Sequence, residues 1–83
     1  MKYKIGDKVR VKTWERLIKE YGLKEDVDGE YILIKDKGAI FDEDMKKFCG
    51  KVVTIDNIIR DTYVIAEDDW YWVWTDEMFE GKV

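Results

Sequence analysis

The chain has 83 residues, 46% of them apolar and 41% charged, with no proline, no histidine, one cysteine and a formal net charge of −4. A chain of that size buries only roughly 60 to 65% of the surface its unfolded form exposes, so one domain over residues 1–83 with a modest core is expected, and its apolar and aromatic content excludes disorder over the whole length. No run of about 18 apolar residues and no charged start leading to a small-residue cleavage site is present, so neither a membrane span nor a signal peptide is expected and the cytoplasm is the default compartment.

Charge is unevenly spread: residues 1–21 sum to +4 and the other 62 to −8. One face of such a dipolar chain suits a basic partner and the other a nucleic acid. Cys49, alone, forms no intramolecular disulfide and is expected to be a small buried hydrophobe.

Taken in order, residues 1–5 are a lead-in and Gly6-Asp7 a turn. Residues 8–12 alternate, which predicts a strand with Val9 and Val11 inward and Lys8, Arg10 and Lys12 outward. Thr13 stands where an N-cap belongs, and Trp14, Leu17, Ile18 and Tyr21 form the stripe of an amphipathic helix over 14–21 that stops at Gly22. Glu15 and Lys19 are spaced as an i, i+4 pair. Residues 23–30 are polar and turn-rich, with Asp28-Gly29 the main turn signal, and are expected to be mobile. Residues 31–34 are a short apolar run compatible with a strand or a buried extended segment, and Lys37-Gly38 turns the chain. Asp42 is a candidate N-cap for one or two helical turns over 43–48, with Gly50 as the stop. Residues 51–55 predict a strand, Asp56-Asn57 a turn, and residues 62–66 another strand.

The stretch from Tyr63 to Phe79 holds all but one of the tryptophans. Its aromatic and β-branched runs flank the acidic cluster Glu67-Asp68-Asp69, which predicts a hairpin of 62–66 with 70–74. Alternation along 70–74 puts Trp70, Trp72 and Trp74 on one face and Tyr71 and Val73 on the other. Trp72 and Trp74 are expected in the core, with Trp70 at the mouth where its indole N–H reaches water or a carboxylate. Thr75 then caps a turn over 76–78, and Phe79-Glu80 supply a last short pairing.

This order of elements predicts a mainly β fold, a small SH3-like barrel with a short helix in its long first loop and one or two further helical turns. In detail, Ile5-Gly6-Asp7-Lys8-Val9-Arg10-Val11, the run from Met45 to Ile55, and Trp72-Val73-Trp74-Thr75-Asp76-Glu77-Met78-Phe79 resemble small uncharacterised SH3-like proteins of Gram-positive phages and prophages that are similar to the Mind bomb SH3 repeat. The resemblance is weakest over residues 25–40. It implies recognition of peptide segments of partner proteins and carries over no functional residues.

Without histidine and with one cysteine, the usual general bases, nucleophiles and metal ligands are nearly all missing, leaving only carboxylates, so neither catalysis nor a metal or other cofactor is expected. The acids at 42–44 and 67–69 lack the spacing of a calcium loop. A basic row of Lys8, Arg10 and Lys12, extended by Arg16 and Lys19, would suit nucleic acid, but the acidic excess elsewhere opposes it and a lysine-protected sheet edge explains the row as well. The expected function is a protein-binding module, monomeric by default, holding an unidentified protein through aromatics at outward positions: Trp14, Tyr21, Tyr31, Trp70 and Tyr71. The alternative is an acidic protein of the anti-CRISPR kind that occupies the nucleic-acid cleft of a host defence protein. Its carboxylates, in residues 25–30 and at Asp42, Glu43, Asp44, Glu67, Asp68, Asp69, Asp76 and Glu77, would then stand where phosphates lie.

Overall fold

The computed structural model describes residues 1–83, the side chain of Asp36 excepted. In chain order the elements are β1 (Lys8–Val11), α1 (Trp14–Tyr21), β2 (Lys24–Asp26), β3 (Gly29–Ile34), β4 (Ala39–Asp42), β5 (Val52–Ile59), β6 (Thr62–Ile65) and β7 (Phe79–Lys82). Short 3-10 turns lie at Lys35–Lys37, Glu43–Phe48, Ala66–Asp68 and Asp76–Met78. The architecture is mainly β, with two antiparallel sheets ordered β6-β5-β1-β7 and β2-β3-β4. Neither sheet is closed on itself among the described residues.

Strand β1 is interior, with Val9 opposite Val53 of β5 on one side and Lys82 of β7 on the other. The alternation expected there holds for Val9 and Val11, both fully buried. It fails for Lys12, which is only 8% exposed and gives its ammonium to Glu20 at 2.7 Å. The basic row is therefore not an edge device, and its three side chains have partners within the fold: Lys8 Nζ reaches Thr54 Oγ1 and Arg10 Nη1 the Gly50 carbonyl, each at 2.8 Å.

Helix α1 has the expected limits because its signals agree: the Thr13 hydroxyl accepts from the Arg16 amide, and the chain leaves through Gly22 at φ 87°. Its i, i+4 ion pair is Arg16 with Glu20 at 2.9 Å, because Glu20 also faces the buried end of Lys12 and gathers both cations. The helix packs against β3, and Leu17 is fully buried.

Residues 23–30, expected from their polarity to be a mobile loop, instead hold β2, the turn and the start of β3, while the apolar run 31–34 is the strand it was compatible with. β2 pairs with β3 through Asp26 and Gly29, and β3 continues into a second pairing with β4 through Ile34 and Ala39. Every side chain of β2 is exposed, so this strand is held by its ladder and carries no apolar pattern to read.

Asp56-Asn57 is not a turn. Strand β5 runs through it with a bulge between Ile55 and Asn57, the Asn57 side chain accepts from the Ile58 amide, and the reversal comes at Arg60, in left-handed backbone at φ 57°.

The hairpin of 62–66 with 70–74 does not form. Strand β6 pairs with β5, and residues 70–74 meet β6 at just two points among the described residues: a single bridge of Trp74 to Tyr63 made by two backbone bonds of 2.8 and 2.9 Å, and one bond of 3.4 Å from the Trp70 amide to the Ile65 carbonyl. Asp69 and Trp70 have φ of 53° and 65°, which breaks the strand and with it the shared face of the three tryptophans. Trp74 is fully buried, Trp72 partly buried and Trp70 46% exposed.

Both sheets contribute to one apolar cluster, in which Ile32, Ile34 and Phe41 meet Val9, Ile55, Ile65 and Trp74. Trp74 stands among three rings, stacked on Phe79 at 5.7 Å and edge-on to Phe41 and Phe48 at 5.7 and 5.8 Å. Tyr3 belongs to the same cluster, against Tyr63 and Phe79, so the start of the chain is anchored rather than loose.

Candidate functional site

Residues 66–73 form a loop whose side chains, apart from the partly buried Asp68 and Trp72, are exposed and whose backbone is tightly held. After β6 the Ala66–Asp68 turn closes with the Asp69 amide donating to the Ala66 carbonyl at 3.1 Å. The Asp68 carboxylate then acts as the loop's internal hub, accepting from the Tyr71 amide at 3.2 Å, the Trp72 amide at 3.4 Å and the buried Trp74 indole at 2.9 Å. Glu67 anchors the other side, accepting from both the amide and the hydroxyl of Thr54. At the crest the Trp70 indole donates to Asp56 at 2.7 Å.

These bonds hold a backbone that its side chains do not favour. A bulky residue in the left-handed region is disfavoured by about 1–2 kcal/mol, and Trp70 is such a residue. The loop nevertheless leaves Tyr71 77% and Val73 51% exposed beside Trp70. Behind Tyr71 lies a recess of about 430 Å³ lined in part by Phe48, Trp72 and Lys47.

The aromatics expected to share a groove are dispersed. Trp14 is core, 6% exposed, with its ring toward Phe41, because it begins the buried stripe of α1. Tyr21 is partly buried at the end of α1 near the Lys12 ammonium. Tyr31, on β3, lines a separate cleft, and only Trp70 and Tyr71 stand side by side. Lys47, Phe48 and Trp72, which sequence reasoning did not select as contacts, come together at the loop. Their only sequence signal is that Phe48 and Trp72 flank apolar stretches, which does not distinguish rim from core.

The acids also divide. Asp26, Asp28, Glu30, Asp42, Glu43 and Asp44 line one cleft of about 350 Å³ between the β2–β3 hairpin and the Glu43–Phe48 turn. Within it the Glu43 carboxylate lies over Gly29, where an added Cβ would meet Glu43 Oε1 at 1.9 Å and the φ of 127° already excludes an ordinary side chain. Asp42 is a working N-cap, accepting from the amides of Asp44 and Met45. Of the remaining acids, Glu67 and Asp68 hold the loop, Asp76 accepts from the Tyr63 hydroxyl, Glu77 has one carboxylate oxygen buried without a partner among the described residues, and Glu25 and Asp69 are exposed. Among the described residues no three carboxylate or thiol groups come together to hold a metal ion.

Burial pushes the Tyr63 hydroxyl up to about 12, helped by its bond to Asp76, and pushes the Cys49 thiol up to about 11, with Glu15 adding to the shift. Both groups are neutral over the physiological range, and Cys49 is a poor nucleophile there. Glu20 is held below the usual carboxylate range, first by the hydrogen bond from Lys12 and also by Arg16.

No helix among the described residues is long and apolar enough to cross a membrane. In comparisons with known proteins, no family model, curated protein or solved structure matches the chain.

Proposed function

We propose that the protein is a non-catalytic protein-binding module that engages its partner through the loop carrying Trp70, Tyr71 and Val73. The observation that carries this is the combination of left-handed backbone at Trp70 with large exposed side chains at 70, 71 and 73. Backbone strain persists only where surrounding bonds over-determine it, and it gathers at binding sites. Large aromatics held rigidly lose little freedom on binding, so the loop is pre-organised for contact. We further read the β6-β5-β1-β7 sheet, with its 3-10 turn before the last strand and the Tyr63–Trp74 bridge, as an SH3-like arrangement, consistent with the resemblance to phage proteins similar to the Mind bomb repeat.

The test is affinity capture from a lysate of the cell that makes the chain, comparing wild type with Tyr71→Ala and with Asp28→Asn/Glu30→Gln. A protein retained by wild type and by the acidic-cleft variant but lost with Tyr71→Ala supports the proposal. Identical retention by all three overturns it.

A second reading is favoured by one observation, the convergence of six carboxylates on the cleft around Gly29. In this reading the chain is an acidic inhibitor that stands in for nucleic acid in a host protein's basic cleft. Loss of the retained protein with the Asp28→Asn/Glu30→Gln variant, and not with Tyr71→Ala, would establish it in place of the first.

A further inference from the structure

The recess behind Tyr71 has the chemistry of a receptor for a cation. Phe48 and Trp72 meet edge-on at 6.1 Å with an interplanar angle of 76°, and Tyr71 closes on Trp72 at 4.8 Å and 87°. A π face attracts an ammonium, and the faces of Phe48 and Trp72 are open to one, since Lys47 Nζ lies over both. Glu67, Asp68 and Asp69 rim the same recess, three negative charges against the single positive charge of Lys47. The carboxylates of Glu67 and Asp68 are engaged in holding the loop, while Asp69 is exposed and forms no ion pair among the described residues.

The protein's own lysine already lies over these rings. Lys47 Nζ lies 5.5 Å from the Phe48 ring centre and 5.4 Å from that of Trp72. Lys47 is itself exposed and comes from the neighbouring 3-10 turn, so it is a movable occupant rather than a fixed part of the wall.

We infer that this recess receives a lysine side chain of the protein partner, its ammonium over Trp72 and Tyr71 beside Asp69, with Lys47 swinging aside as the built-in competitor. The inference rests on the protein-binding function proposed above and assigns the chemistry of its anchor. Charge complementarity favours a basic partner segment, since the recess and its rim carry a net −2 with Lys47 in place and −3 once it has left.

The experiment is an NMR titration of the full chain with Nα-acetyl-lysine methylamide, following the Trp72 indole and the Tyr71 amide, with Nα-acetyl-norleucine methylamide as the neutral control. Saturable shifts with the lysine probe alone are expected. Lys47→Met should tighten binding about two- to fivefold, the equivalent of one exposed cation–π contact. Asp69→Asn should weaken it by a similar factor, and raised salt should weaken it further. Tyr71→Ala, at a position too exposed to threaten folding, should remove saturation. Equal shifts from the norleucine probe, or weaker binding by Lys47→Met, would overturn the inference. Partner capture lost with Tyr71→Ala, but without lysine selectivity in the titration, would sink this inference and leave the protein-binding function standing. Lysine-selective shifts with no partner lost on Tyr71→Ala would show a lysine-binding recess but overturn both its assignment to a partner and the protein-binding function proposed for the loop.

Discussion

Trp74 donates its indole N–H to the Asp68 carboxylate across 2.9 Å, and that bond ties the centre of the core to the exposed loop. The same carboxylate accepts the Tyr71 and Trp72 amides, so core packing and loop shape are set by one side chain. Asp68→Ala leaves a buried indole N–H unpaired and should reduce stability by about 2–3 kcal/mol. Urea unfolding checks this, and a loss below about 0.5 kcal/mol would mean the loop is held by other bonds.

Trp74 and Trp70 should behave as opposites. Trp74→Ala removes a fully buried ring that touches Phe41, Phe48 and Phe79, and should reduce stability by about 3–5 kcal/mol, enough to unfold much of a population with ordinary small-protein stability. Trp70→Ala should stay below about 1.5 kcal/mol, since it removes a half-exposed ring and one exposed hydrogen bond. Trp70→Gly, free of the left-handed penalty, should be more stable than Trp70→Ala by about 1 kcal/mol. Denaturant unfolding of the three variants measures all of these differences.

The Lys12–Glu20 pair predicts an acid-sensitive contribution. Folding holds the Glu20 carboxyl below its ordinary value, so its stabilisation is fully present above the unfolded pKa of about 4.3 and is lost as pH falls through the lower folded value. Glu20→Gln should therefore be less stable than wild type by about 1–2 kcal/mol at pH 7, because the Lys12 ammonium, 10% exposed, is left without its charged partner. The gap should close in strong acid. A gap that is constant from pH 7 to pH 2 would show that Glu20 acts through packing instead.

Cys49 should react slowly. With its thiol pushed up to about 11 against an ordinary value of about 8.5, the thiolate fraction at pH 7.5 falls by roughly two orders of magnitude. Iodoacetamide labelling of the native chain should be slower than that of the urea-unfolded chain by about that factor. Equal rates would place the thiol in open solvent.

Legibility in the sequence followed the local signals. Helix α1 was readable because stripe, N-cap and glycine stop agree, and β1 and the first half of β5 because apolar positions alternate. The β2-β3-β4 sheet was not, since β2 is wholly exposed and β3 lacks strict alternation, so only its partners define it. The run from Trp70 to Trp74 was misread because aromatics favour strands as a class, while left-handed backbone at two consecutive non-glycine residues leaves no sequence mark. Trp70's exposure and its bond to a carboxylate were anticipated, though the acceptor is Asp56 of β5 rather than the adjacent acidic turn. Of the candidate contacts, those whose position depended on a helix face or a loop end separated only in three dimensions, as Trp14 did by turning into the core.

The central claim is that the partner meets the loop at residues 70–73 and not the acidic cleft. It is tested most directly by photo-crosslinking, with benzoylphenylalanine at position 71 in one sample and at position 28 in another, each irradiated in the cell that makes the chain. Both sites are exposed, so neither substitution disturbs the core. The account predicts a discrete crosslinked protein from position 71 and none from position 28; a crosslink from position 28 alone would contradict it.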